Sequence, residues 1–216
     1  MALTLYNNNL SPYASRNRLQ LRAKGLENEI ALTPRPDVEI YRTITPTAKM
    51  PALDVGGFVL PESETIAEYI EEIYPQPSLH GRDALGRAKV RLFARFVDVY
   101  LTPGFNILFA QASAKERDPK KIEEGLAMLA EGLGYIDHYL SDSAYATEGR
   151  LTLADCALVP ALFYANLIPT MFGGKPFLGH DKVQRYYGRI TSEDAHAKRV
   201  AEEMGVALQE WMASQR

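Results

Sequence analysis

Ser11-Pro12-Tyr13 is the first place in the sequence where a side chain could do chemistry. An apolar run, Leu3-Thr4-Leu5-Tyr6, and a turn cluster, Asn7-Asn8-Asn9, precede it; helix formers from Tyr13 to Lys24 follow, with Gly25 at the helix end. Pro12 suits a first helical turn, where its missing N–H is not needed. Ser11 is then the N-cap, at the positive end of the helix dipole. A hydroxyl and free backbone N–H groups converge there and favour an anion or a thiolate. Taken alone, the same residues read first as a plain helix cap.

Three further runs have the same double character. In Thr45-Pro46-Thr47-Ala48-Lys49-Met50-Pro51-Ala52-Leu53, a proline opens a strand behind a bulky apolar residue and is a candidate cis bond. In Leu60-Pro61-Glu62-Ser63-Glu64-Thr65-Ile66, a carboxylate and a hydroxyl meet at a helix start, which in isolation is capping. In Leu151-Thr152-Leu153-Ala154-Asp155-Cys156, Thr152 and Asp155 have capping-box spacing, and the structural role is the favoured one.

The elements that must hold these residues fall into two halves. Residues 1–76 read as β-α-β-x-β-β-α: strands at Leu3–Tyr6, Glu29–Leu32, Pro51–Val55 and Phe58–Leu60, a Gly56-Gly57 hairpin turn, and a helix from Ser63 marked by Ile66, Ile70 and Ile73. The proline- and glycine-marked segment 77–86 is the expected linker. Residues 87–216 read as helical. An apolar stripe over Phe93, Phe96, Val97, Tyr100 and Leu101 is expected to end at Pro103-Gly104; Ile122 to Leu140 is amphipathic; Leu153 to Ala165 is apolar all round and expected to be buried; Val200 to Trp211 makes a last helix.

In this order and spacing the four runs resemble the cytosolic glutathione transferase superfamily over essentially the whole chain. The resemblance implies an α/β thioredoxin-like N-terminal domain that binds glutathione, plus an all-α C-terminal helical domain that binds the second substrate. Ser11-Pro12-Tyr13-Ala14-Ser15-Arg16-Asn17-Arg18-Leu19-Gln20-Leu21 is similar to the omega-class run Cys-Pro-Phe-Ala-Glu-Arg-Thr-Arg-Leu-Val-Leu and to the Ser-Pro-Phe run of the tau class. Met50-Pro51-Ala52-Leu53 resembles Val-Pro-x-Leu, whose proline is cis, and Glu62-Ser63 with Ile66 resembles Glu-Ser-x-x-Ile.

The resemblance implies these roles. Ser11 donates a hydrogen bond to the glutathione sulfur and stabilises the thiolate, the nucleophile. Glu62 and Ser63 hold the γ-glutamyl group. Met50 pairs its backbone with the cysteinyl unit beside cis Pro51, and Lys49 neutralises the glycyl carboxylate; a solvated surface lysine is the other reading of Lys49. Tyr13 is a candidate second hydroxyl. Tyr100, Phe105 and Phe109 are candidate walls for a small hydrophobic or aromatic electrophile, or else plain core. A homodimer is implied, and the stripe Arg87, Arg91 and Arg95 on one helix face could meet Glu68 and Glu72 of a second copy or simply be solvated.

Departures narrow the chemistry. Serine in place of the omega cysteine removes the mixed-disulfide route. The zeta run Ser-Ser-Cys-x-Trp is only partly matched, because Pro12, Tyr13 and Ser15 stand at its second Ser, Cys and Trp. Conjugation of an electrophile is the leading expectation. Glutathione-dependent isomerisation of a maleyl-type acid or β-ether cleavage is the alternative, and a non-catalytic binding module is the third.

Composition bounds the rest. The 216 residues carry a net charge of −3, with 46% hydrophobic and 24% charged residues, which excludes a disordered chain and shows no basic stripe for nucleic acid. The lone Cys156 excludes an internal disulfide and a Cys-rich zinc site and fits a reducing cytoplasm. His80, His138, His180 and His196 are scattered, so no metal is expected. No secretory signal and no uninterrupted apolar run of membrane-spanning length is visible.

Overall fold

The structure, a computed structural model, describes residues 3–214. The chain divides into two compact units, Met1–His80 with Asp194–Arg216, and Gly81–Glu193.

In the first unit, β1 (Leu3–Tyr6), α1 (Pro12–Ala23) and β2 (Ile30–Thr33) form a crossover that brings β2 parallel to β1. β3 (Ala52–Val55) lies antiparallel on the other side of β1, and β4 (Phe58–Pro61) follows it, giving the order β2-β1-β3-β4. The β3–β4 turn is the two-residue loop Gly56-Gly57, with φ of 62° and 99°, the positive values a tight hairpin of this twist requires. Leu3, Leu5 and Leu53 from the sheet meet Leu21 and Leu26 and, from α3 (Ser63–Ile73), Ile66 and Ile70. This is the small α/β layer expected from the sequence.

One element between β2 and β3 was not legible: α2 (Val38–Ile44), capped by Asp37, whose carboxylate accepts the Glu39 N–H at 2.8 Å. With seven residues it is too short to show a 3.6-residue apolar rhythm.

The last helix, α9 (Ala195–Ser214), was expected with the helical half but packs on α1. The reason lies in α1 itself. Its arginines are buried: Arg16, Arg18 and Arg22 are only 2%, 2% and 6% exposed. Buried charges need partners. Glu203 of α9 supplies one to Arg18 at 2.8 Å and to Arg22 at 2.6 Å, while Glu64 of α3 pairs with Arg16 at 3.1 Å. Burial pulls the Arg18 guanidinium down to about 10, partly offset by Glu203, so it stays charged at neutral pH.

A second buried pair fixes the end of α1. Lys24 Nζ lies 2.9 Å from Glu71 Oε1 and donates to the Pro77 carbonyl at 2.7 Å, while Glu71 also accepts the Leu79 N–H at 3.0 Å. Removing one partner of a buried pair leaves an uncompensated charge. Lys24→Met should therefore cost about 3 kcal/mol of stability, read by urea denaturation with an unchanged slope.

The second unit is helical throughout its regular structure. α4 (Ala84–Arg95) runs through a π turn, Phe96–Leu101, into α5 (Thr102–Ala112). The break expected at Pro103-Gly104 does not occur. Pro103 falls in the first turn of α5, where no N–H is needed, and the Thr102 hydroxyl donates to the Val97 carbonyl at 2.9 Å across the π turn. Gly104 serves close packing instead: a Cβ there would stand 2.9 Å from the Gly125 carbonyl oxygen of α6 (Pro119–Tyr139).

α7 (Leu153–Leu167) is the central helix, and every residue from Leu153 to Ala165 is buried, as its all-round apolar sequence requires. By length and mean apolarity Leu153–Phe172 would pass as a membrane span, but 83% of that window is buried in the fold. Cys156 is fully buried within α7. α8 (Asp181–Glu193) was not anticipated, although Val183, Tyr186 and Ile190, its buried residues, carry the i, i+3, i+7 signature.

Candidate active site

One end of the sheet collects the candidate residues of the first unit. The pairing register sets Tyr6 against Ala52, and Ala52 against Pro61. Pro51 and Glu62 therefore continue from neighbouring strand ends, and the β1–α1 turn brings Ser11 to the same end.

Ser11 caps α1 with extended backbone, φ −76° and ψ 119°, and its Oγ accepts the Ala14 N–H at 3.2 Å. The hydroxyl proton points to the Met50 carbonyl at 3.4 Å, a long and easily exchanged hydrogen bond. No acidic residue stands in the first turn of α1, so no side chain of that turn offsets the positive end of the dipole at this hydroxyl.

The Met50–Pro51 peptide bond is cis. The loop before it is held by α2: the fully buried Tyr41 donates its phenol proton to the Lys49 carbonyl at 3.1 Å, and its ring meets Tyr6 edge-on at 5.2 Å. Burial, then Tyr6, push the Tyr41 phenol up to about 12, against a smaller opposing effect of Arg35. It remains a donor over the whole working pH range. Tyr41→Phe should raise KM for the ligand of this loop several-fold, leave kcat within about twofold, and cost about 1 kcal/mol of stability. Lys49 itself is exposed beside Met50.

Glu62 opens α3 at φ 71° and ψ 112°, a backbone conformation costly for a non-glycine residue. Its carboxylate makes no capping bond to the helix, so the side chain is not spent on local structure. Ser63 is buried, and its carbonyl accepts the Asn17 amide at 2.9 Å. Asn17, Arg16 and Tyr41 thus brace the site from behind. Sequence reasoning missed all three, because bracing through distant contacts leaves no local pattern.

An open cavity of about 370 Å³ adjoins this end of the sheet, lined by Asn7 to Asn9, Leu32 to Arg35 and Met50. Tyr13 is half-buried, with the Arg16 guanidinium 5.8 Å from its ring centre. The remaining candidates belong to the second unit and stand in two separate aromatic clusters. Tyr100, 42% exposed, lies 4.9 Å from the Tyr135 ring. Phe105 is buried beside Phe109, which meets Tyr164 edge-on at 5.0 Å. Among the described residues, no three His, Cys, Asp or Glu side chains are grouped to hold a metal ion.

Two family models match the chain: the glutathione S-transferase N-terminal domain over residues 5–78 and the glutathione S-transferase C-terminal domain over residues 114–189. The chain belongs to the glutathione S-transferase family. A maleylacetoacetate isomerase of Pseudomonas aeruginosa is 31% identical over 77% of this chain and 82% of its own. "Probable maleylacetoacetate isomerase 2" of Drosophila melanogaster is 34% identical over 58% of this chain, a match that spans 55% of that relative's length. Among solved structures, the holo form of a maleyl pyruvate isomerase, described as a bacterial glutathione S-transferase in zeta class, superposes with a TM-score of 0.74 at 26% identity. That match covers 91% of this chain and 95% of the other. A mixed four-stranded sheet with helices, followed by a helical region, is thus the glutathione S-transferase fold.

Proposed function

We propose that the protein binds glutathione at the Ser11 end of the sheet and activates its thiol for attack on a small hydrophobic electrophile. The observation that carries this reading is the Ser11 hydroxyl at the start of α1, within 3.4 Å of the carbonyl before cis Pro51, with no acid in the first helical turn. Family membership supplies the ligand, and the residues fit it. The Glu62 carboxylate, unspent on capping, faces the γ-glutamyl ammonium, and Ser63 offers its hydroxyl and N–H to the γ-glutamyl carboxylate. Met50 presents a strand-like edge to the cysteinyl unit, and Lys49 balances the glycyl carboxylate. When glutathione is bound, its sulfur forms the bond to an electrophilic carbon, the leaving group departs with its electron pair, and the thiol proton passes to solvent. Ser11 holds the developing thiolate by turning its proton from the Met50 carbonyl to the sulfur.

The relatives named maleylacetoacetate isomerase favour a second reading, in which the thiolate adds to a cis double bond, the new single bond rotates, and elimination returns free glutathione. Product analysis separates the two. With an aryl halide, conjugation consumes glutathione one for one; with a maleyl-type acid, isomerisation leaves the glutathione concentration unchanged. Turnover in neither assay, with glutathione binding intact by calorimetry, would contradict both and leave a binding module.

A cytoplasmic homodimer completes the proposal. Phe58, 69% exposed at the hairpin, and the exposed Arg87, Arg91 and Arg95 are among the exposed groups that can contribute to it. Sedimentation at micromolar concentration should give twice the mass of 24.1 kDa.

A further inference from the structure

The second unit holds a cavity of about 250 Å³ whose charges serve neither the reaction nor the core. Lys182, Arg185 and Arg189 reach it from α8, and Ser141, Asp142 and Ser143 form the opposite rim. Positions 182, 185 and 189 fall at i, i+3, i+7, one face of the helix.

Three cations face one carboxylate there, in a chain whose net charge is −3. That carboxylate is a poor counterion: Asp142 is 100% exposed and lies 3.7 Å from Lys182 Nζ. Arg189 reaches the Asp142 backbone carbonyl at 3.4 Å, not its side chain. Arg185 and Arg189, one turn apart, repel each other, so the cluster works against the stability of α8 unless an anion joins it.

The surroundings are rigid. Both serine hydroxyls donate to the Tyr145 carbonyl, at 2.7 and 2.8 Å, which fixes the rim. Tyr186, between the cations on α8, turns inward and donates to Asp155 at 2.9 Å, which anchors the helix to the base of α7. The cations are therefore presented by a fixed frame. Two guanidiniums offer forked donors and the ammonium a point charge, the combination suited to phosphate oxygens rather than to a single carboxylate.

We propose that this cavity is a binding site for a polyanionic phosphate group, such as a diphosphate. The anion displaces Asp142 from Lys182 and bridges Arg185 and Arg189. The site is independent of the proposed glutathione chemistry.

The test is calorimetry on the whole protein with inorganic pyrophosphate at low ionic strength. One saturable site is expected, with affinity falling steeply as salt rises. The double variant Arg185→Ala/Arg189→Ala should weaken binding at least tenfold, while Asp142→Asn, which removes the competing carboxylate, should tighten it about threefold or more. Arg185 and Asp142 are exposed, and the half-buried Arg189 makes only a long 3.4 Å bond to the rim, so melting without ligand should stay within about 2 °C of the wild type. A nucleoside diphosphate in a parallel arm separates the sources: equal affinity means the phosphates alone are read, and tighter binding means the nucleoside adds contacts. No saturable heat with pyrophosphate, or equal affinity in the double variant, would overturn the proposal.

Discussion

Ser11→Ala should lower kcat/KM for the proposed glutathione addition by about 10²–10³-fold, a loss of about 2–4 kcal/mol in the transition state. The size follows from what the hydroxyl can do. In the free protein its proton rests on the Met50 carbonyl at 3.4 Å, a weak bond that costs little to give up. A thiolate beside it gains one directed hydrogen bond and the field of a helix start with no acid in its first turn. Alanine removes the directed bond and keeps the field, so residual activity above the uncatalysed rate is expected. Because Ser11 also caps α1 through Ala14, the variant loses about 1 kcal/mol of stability. Ser11→Thr separates the two effects: it keeps a cap and a hydroxyl, and should recover most of the stability and part of the rate.

The second large effect is structural. Asp155→Ala should destabilise the helical unit by about 4 kcal/mol, read as an early transition by calorimetry. The carboxylate is fully buried and accepts four hydrogen bonds: from the Ala146 and Thr152 N–H groups at 2.8 Å each, the Thr152 hydroxyl at 3.0 Å and the Tyr186 phenol at 2.9 Å. Alanine strands these donors, each a desolvation cost of about 1–3 kcal/mol when buried and unmet.

Asp155 has a pH signature as well. Burial raises its pKa, against those four bonds. A carboxyl whose folded pKa lies above its unfolded value of about 3.9 contributes most to stability below that value, and the contribution declines as the pH rises from there. Asp155→Asn, which does not titrate, should flatten that part of the stability profile.

What these two residues share explains which parts of the molecule could be read from sequence. Asp155 acts within one turn of Thr152, and Ser11 within one turn of Ala14, so their spacing is printed in the chain. Pro51 and Glu62-Ser63 are legible for the same reason, since each needs a particular backbone at one point. Leu153 to Ala165 declares its burial by being apolar on every side.

What was not legible depends on distant partners. Nothing in the spacing of Arg16, Arg18 and Arg22 announces burial, and the placement of Glu64 and Glu203 supplies the partners they need in the interior. The same contacts carry α9 to the N-terminal unit, which no helical periodicity could reveal. Tyr41 braces the Lys49–Pro51 loop from a helix too short to announce itself. Proline at 103 misled in the opposite direction, because a π turn and a first-turn position absorb it.

The central claim is that the protein holds the glutathione sulfur as a thiolate at Ser11, and an ultraviolet titration of the thiolate in the binary complex measures this directly. The expected bound-thiol pKa is at least about one unit below the ordinary cysteine value of about 8.5, with a return toward that value in Ser11→Ala with glutathione still bound. A bound thiol that titrates like free glutathione in the wild type, or identically in both proteins, would contradict it.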